Sequence, residues 1–382
     1  MADRQLVEPD MSFVRKIVGF GGDTLKKCFQ CATCSVVCNL SPERSPFPRK
    51  EMIWAQWGLK DRLMKDPDVW LCHQCNDCSV YCPRGAKPGD VLAAIRNYSF
   101  THYSAPSFLG KALSEGKYLP LLLAFPVVLF LFLLGITGHL NIPEGPIVFE
   151  KFVPHYIVDP VFIMVSILVV ISLIVGVGKF WNGMKEGVHP CESKGLPVGD
   201  FIKLHVVPTI IDIFKHSKFM DCDKNKFRYL AHLLIFYSFI ALAVVTGIVF
   251  LGIYFIRIEH MLPLAQLNPI KILANLGAVA LIAGCTIVIS NRLKEEEDKS
   301  TSSYFDWVFI IMVYAVAISG LLTELTRLAD VAVIAYSLYF IHLVLVFYLI
   351  AYLPFSKFAH MIYRTVALVY SSYSQREKQM TE

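Results

Sequence analysis

Charge is scarce in this sequence. Only 18% of its 382 residues are Asp, Glu, Lys or Arg, against about 25% in an ordinary soluble domain. The deficit lies after residue 118, where long apolar runs take over, and it excludes a wholly soluble fold. A strong excess of either sign is also missing. The formal net charge of +5 comes mostly from the flanks of the apolar runs, so there is no basic footprint for nucleic acid. No Gly-rich nucleotide fingerprint occurs, so any flavin belongs to a partner. The opening residues, MADRQLVEPDMSFVRK, hold no apolar signal segment. The expectation is a head that stays in the cytoplasm and keeps its thiols reduced.

Most of the cysteine is concentrated in one short region. Cys28, Cys31, Cys34 and Cys38 form one run, and Cys72, Cys75, Cys78 and Cys82 repeat it. Each reads C-x2-C-x2-C-x3-C, the bacterial spacing for a [4Fe-4S] cluster. Disulfides compete as a reading, but a reducing compartment disfavours them. Zinc competes too, yet a tetrahedral zinc site needs only two C-x2-C pairs. The remaining Cys191, Cys222 and Cys285 have no ligand spacing and read as inert thiols.

The insert SPERSPFPRKEMIWAQWGLKDRLMKDPDVW places Ile53, Trp57 and Leu63 at helical intervals. That suggests a helical ferredoxin domain over 1–103 rather than a compact β-rich one. Crossed ligation is then expected, three cysteines of one run with the last of the other. One cluster would take Cys28, Cys31, Cys34 and Cys82, and the second Cys72, Cys75, Cys78 and Cys38. His73, inside the second run, reads as a surface or supporting residue. Residues 104–118 read as a linker or an interfacial helix.

Six apolar stretches then approach the roughly 20 residues that a spanning helix needs. They fall at about 119–139, 157–179, 230–256, 270–291, 305–325 and 332–354. The membrane domain is expected over 119–363 and a tail over 364–382. Lys185, Lys194, Lys203, Lys215, Lys218, Lys224, Lys226 and Arg228 lie between spans two and three. Arg292, Lys294 and Lys299 follow span four, and Arg364, Arg376 and Lys378 follow span six. The opposite loops offer only Lys151, Arg257 and Arg327. The bias puts the head, the long loop and the tail on the cytoplasmic side of an inner membrane.

Ionisable residues inside spans are costly and functional by default. His342 and His360 are eighteen positions apart on what reads as one long helix. Five full turns put both rings on one face, about 27 Å apart. That suits two stacked haems, with Pro354 between them as a kink point. His232 matches His360 in depth and pairs with it around an inner haem. His342 needs an outer partner, for which His155, His139 and His260 are the candidates. A hydrogen-bonded packing role is the competing reading for each histidine. His216, Cys222 and Arg228 read as a surface segment or as the lining of an inner quinone pocket. Glu324 and Arg327, at i, i+3, read as a helix-end ion pair or a proton exit.

These residues carry a resemblance. CFQCATCSVVC and CHQCNDCSVYCP resemble the small iron–sulfur subunit of heterodisulfide reductase. YLAHLLIFYSF and IHLVLVFYLIAYLPFSKFAH resemble the haem b subunits of respiratory nitrate reductase and heterodisulfide reductase. The fusion of both is similar to the C subunits of quinone-interacting membrane-bound oxidoreductase complexes of sulfate reducers. The resemblance implies an all-α protein, a helical two-[4Fe-4S] ferredoxin domain followed by a six-helix transmembrane haem b bundle. It implies haem b on His232, His342 and His360, although Leu242 stands where the nitrate reductase subunit has a further histidine. It also implies menaquinol as donor, with flavin- and iron–sulfur-containing cytoplasmic subunits accepting electrons on the way to adenylylsulfate reductase. The chain would be a redox-active subunit that is not catalytic alone. The alternatives are a heterodisulfide reductase-type complex, a membrane anchor with structural clusters, and a transporter or proton channel. Few charges lie deep in the spans, which disfavours the last.

Overall fold

The computed structural model describes residues 8–42, 45–187, 196–216, 226–256, 263–294 and 301–376. Cys191, Cys222, Arg257, His260, Lys194, Lys218, Lys224, Lys299 and Lys378 lie outside the described residues. Within them every regular element is helical. The head holds α1 (Met11–Gly19), α2 (Thr33–Val36), α3 (Arg49–Gln56), α4 (Lys60–Met64), α5 (Asp68–Leu71), α6 (Asp77–Val80) and α7 (Pro88–Tyr103). Next come α8 (Ser107–Ser114), α9 (Leu119–Ile136), α10 (Phe149–Phe152), α11 (His155–Lys185), α12 (Val198–Phe201) and α13 (Val207–Lys215). The last five are α14 (Lys226–Leu251), α15 (Pro269–Leu293), α16 (Tyr304–Leu328), α17 (Ala332–Ala351) and α18 (His360–Tyr373).

Six helices are long and apolar enough to cross a membrane: Gly116–Ile136, His155–Lys185, Arg228–Ile256, Pro269–Leu293, Tyr304–Leu328 and Ala332–Ala351. Their outward faces carry exposed Leu121, Phe125, Phe132, Ile163, Ile167 and Ile174, as lipid contact requires. Several starts are written locally. Asn268 caps α15 ahead of Pro269, and Ser303 with Asp306 forms a capping box on α16, each satisfying amide donors that a helix start leaves open. Between the head and the first span the chain forms α8, which buries Gly110 and Leu113.

The long helix expected to carry both His342 and His360 is broken. α17 ends at Ala351, two 3-10 turns follow at Leu353–Phe355 and Lys357–Ala359, and α18 begins at His360. Proline lacks an amide and its ring clashes with the preceding turn. Ser356 then takes extended backbone, and its hydroxyl accepts from the Phe358 amide. The five-turn alignment of the two histidines is lost, and His360 belongs to a separate helix.

α18 leaves the span to pack on the head. Residues 364–373, expected in a tail, are its second half. One core joins Phe13, Ile17, Leu25, Met52, Trp70, Leu92 and Ile95 of the head to Phe180 and Met184 of α11 and to Tyr363, Ala367 and Tyr370 of α18. Trp70 is its hub, stacked on Tyr363 at 5.3 Å with Phe100 at 5.5 Å and Phe180 at 6.2 Å. Polar contacts close the same seam. Lys65 pairs with Glu186 at 2.8 Å, Asn97 donates to Ser303 at 3.1 Å, and Tyr370 donates to the Met184 carbonyl at 2.9 Å. The end of span two, the start of span five and α18 therefore meet the head at one end of the bundle.

Inside the head, Glu51, Asp66 and Asp68 are buried close together. The Lys50 ammonium sits among all three, at 2.8, 2.8 and 2.6 Å. Arg376, just beyond α18, pairs with Asp68. The trio is thus a charge-paired anchor for the C-terminal helix.

Trp70→Ala removes the hub, and deleting a buried aromatic of this size costs about 3–5 kcal/mol. The expected outcome is a head that is cut from the membrane part by limited proteolysis near α8 under conditions where the wild type resists. Equal resistance would show that the shared core does not hold the head.

Candidate functional site

The two cysteine loops carry the same backbone strain at the same positions. Gln30 and Ala32 have φ of 60° and 68°, and Gln74 and Asn76 have 54° and 74°. Left-handed backbone costs a residue with a β-carbon about 1–2 kcal/mol, so four such residues mark loops held by function. The turns bend each chain around a common centre and launch α2 and α6, whose first turns carry Cys34 and Cys78. N–H donors aim at the sulfurs: Gln30 Nε2 to Cys28 at 3.4 Å, the Gln74 amide to Cys72 at 3.3 Å and the Ala86 amide to Cys82 at 3.3 Å.

α2 packs on α6, which interleaves the runs. Cys28, Cys31, Cys34 and Cys82 line one cavity, together with Arg49 and Arg84. Burial pushes the Cys34 thiol up to about 11, with Cys28, Cys31 and Cys82 adding repulsion. Burial pushes Cys38 up to about 12, and the Cys72 thiolate adds to this. Cys78 is raised further by burial, then by Cys72, Cys38 and Cys75. Four crowded thiolates of this kind need a cationic centre to exist together. The chain therefore brings together the two crossed sets of four. Cys31 is exposed, its pKa lowered by the Thr33 hydroxyl at 3.4 Å, while Cys72 and Cys78 are buried. The first set faces outward and the second lies against the membrane part.

The three histidines share one tautomer. His360 Nδ1 lies 2.5 Å from the Lys357 carbonyl and donates to it. The Ser319 hydroxyl donates to the Val316 carbonyl, so at 3.0 Å it accepts from His342 Nδ1. His216 Nδ1 donates to the Phe214 carbonyl at 3.1 Å, so its Nε2 accepts from His232 Nδ1 at 3.0 Å. In a neutral ring the lone pair then sits on Nε2 in all three, the arrangement that metal-binding histidines adopt. α14 packs along α15, α15 on α16 and α16 on α17. His342 also lies against Gly320, where an added β-carbon would come within 2.9 Å of its ring. These residues fit axial ligation of a planar macrocycle.

The other expected site residues meet the following neighbours. His155 lies between Glu150 at 3.9 Å and Asp159 at 3.8 Å, and His139 contacts Tyr156 at 3.4 Å. His216 supports His232, and Arg228 donates to the Gln74 carbonyl at 2.6 Å. Glu324 pairs with Arg327 at 3.1 Å and with Lys271, the helix-end ion pair. Cys285 is buried in the fourth span. Sequence reasoning missed Ser319 and Gly320, although a Ser-Gly pair in mid-span is a visible sign of close helix approach.

Comparison with known proteins divides the chain at the same place. A profile described as 4Fe-4S dicluster domain matches residues 24–86, and one described as Citrate utilization protein B matches residues 118–381. The head is 43% identical over 89 residues to the C subunit of the H(2):CoB-CoM heterodisulfide,ferredoxin reductase of Methanothermobacter marburgensis, covering 23% of this chain and 48% of that protein. Citrate utilization protein B of Escherichia coli is 26% identical over 314 residues, 78% of this chain and 80% of its own. The E subunit of the dihydromethanophenazine:CoB--CoM heterodisulfide reductase of Methanosarcina barkeri is 26% identical over 170 residues, 42% of this chain and 64% of its own. The chain thus spans about half the length of the relatives its head matches. No solved structure matches.

Crossed ligation gives a direct test. Cys82→Ser is expected to abolish the same low-temperature EPR signal as Cys31→Ser, and Cys38→Ser the same signal as Cys75→Ser. Pairing of Cys38 with Cys31 instead would contradict the crossing.

Proposed function

Because the chain belongs to the citrate utilization protein B family and carries a head similar to the small iron–sulfur subunit of heterodisulfide reductases, we propose that it is the membrane electron-transfer subunit of a heterodisulfide reductase-like complex. Two [4Fe-4S] clusters would be held by Cys28, Cys31, Cys34 and Cys82 and by Cys72, Cys75, Cys78 and Cys38. Haem b would be held by His232 and His360, with His342 ligating a second. The observation that carries this reading is the order of the sites. The histidines lie in the bundle, the buried cysteine set lies at the seam, and the set with exposed Cys31 lies at the surface.

Haem and iron–sulfur groups supply one-electron chemistry when bound. The chain's own part is placement. Ser319, His216 and the Lys357 carbonyl fix the three imidazoles. Burial of Cys72 and Cys78 keeps water from the inner set. Exposed Phe29, Val36 and Tyr81 beside the outer set offer an apolar rim to an acceptor subunit. The finer assignment takes menaquinol as donor. The acceptors are cytoplasmic flavin- and iron–sulfur-containing subunits, with adenylylsulfate reductase downstream. It rests on the sequence resemblance. The charge bias of the loops supports a head, long loop and C-terminus in the cytoplasm.

The test is an optical difference spectrum of the purified chain on adding a menaquinol analogue, with haem and iron counted. About two haems b and eight irons per chain, with haem bands appearing on quinol addition, are expected. Clusters without quinol-reducible haem would favour an anchor with structural clusters.

A further inference from the structure

The seam between head and bundle is rich in guanidinium groups. Arg364 donates to the Cys72 carbonyl at 2.8 Å, Arg228 to the Gln74 carbonyl at 2.6 Å and Arg96 to the Val69 carbonyl at 2.9 Å. All three thus reach the short strip that enters the inner cysteine set. Among the described residues neither Arg364 nor Arg96 has a carboxylate within salt-bridge distance. Lys357 and Arg292 stand nearby, but both are paired with Asp306. Arg364 and Arg96, gathered in a partly buried place without matching acids among the described residues, are costly there unless an anion joins them.

The register points to the anion. Arg228 precedes His232 by four residues on α14, and Arg364 follows His360 by four on α18. One helical turn puts each arginine on the same face as its histidine. Both arginines lie on the head side, since both reach the inner cysteine loop. Phe239 of α14 contacts Phe358, in the turn just before α18, at 5.2 Å, which ties the approach to α18 to α14. A guanidinium carries five N–H donors in a planar fork suited to carboxylate, so the bond of Arg364 to the Cys72 carbonyl does not exhaust it.

We propose that Arg228 and Arg364 bind the two propionate carboxylates of the haem held between His232 and His360. This deepens the function proposed above and rests on it. Each arginine then touches the haem edge with one side of its fork and the backbone of the inner cluster loop with the other. The same two residues orient the macrocycle and join its edge to the next carrier. Removing one positive charge from a propionate disfavours the reduced haem.

The test uses the full chain in detergent, with Arg364→Gln and Arg364→Lys and the corresponding changes at Arg228. Intact EPR signals of both clusters serve as the check of folding. Resonance Raman spectroscopy of the propionate modes and redox titration of the inner haem are the readouts. The glutamine variants are expected to shift the propionate modes and to move the one-electron equilibrium about tenfold toward the oxidised haem, a fall of about 59 mV. The lysine variants should restore much of the potential and little of the Raman signature. A wild-type chain that binds no haem would overturn both this site and the function beneath it. A haem-loaded wild type with Raman modes and haem potential indifferent to these changes would overturn the propionate assignment alone. So would a change confined to the inner cluster's potential. An anionic phospholipid is the other source of such an anion. Lipid phosphorus lost from the variants while propionate modes stay fixed would overturn the proposal in its favour.

Discussion

Everything else in this molecule depends on the stack of Trp70 on Tyr363 and the core around it. A two-cluster head of this size, tethered only by a flexible segment, would sample many orientations above the membrane, and the cysteine and histidine sites of the two parts would hold no fixed spacing. Burying Trp70, Phe100, Phe180 and Tyr363 in one core removes that freedom. The hydrophobic gain is non-directional; the direction comes from the polar seam. Lys65, Asn97, Tyr370 and Arg364 each reach a specific partner across it. The result is a fixed order from the histidines of the bundle, through buried cysteines, to an exposed one.

The C-terminal helix is the piece that makes this possible, and it exists because the sixth span stops short. Pro354 stands in the turn that follows α17, and Ser356 caps the short 3-10 turn that leads into α18. The chain thereby turns from an apolar environment to a protein surface within a few residues. His360 begins the new helix, so it sits at the boundary, while Tyr363, Ala367 and Tyr370 follow on the face turned to the head. The Asp68–Arg376 pair locks the far end. A histidine placed this way is held by the packing of the head as well as by the bundle.

Much of this was legible in the residues. The cysteine spacing suggests two crossed sets of four, and the fold brings the side chains of each set near one another; that each set holds a cluster remains the proposal. The six spans could be read because backbone in lipid must satisfy itself, which forces long apolar helices. What escaped was tertiary. Pro354 was visible but read as a kink, since Ser356 reveals itself as a cap only once the head is there to receive α18. Ser319 and Gly320 look like ordinary small residues until His342 is found against them. His216 read as a surface or quinone residue, and only its approach to His232 gives it a supporting role. The left-handed backbone at Gln30, Ala32, Gln74 and Asn76 has no glycine to announce it.

The sites follow one another in space: histidine site, buried cysteine set, exposed cysteine set. Spin relaxation of the reduced clusters measures that order. With an aqueous gadolinium chelate added and the haem oxidised, the cluster lost in Cys31→Ser should be relaxed by the chelate. The cluster lost in Cys75→Ser should be relaxed by the haem iron. Relaxation of both clusters equally by either agent, or the reverse assignment, would contradict the order on which the proposed function rests.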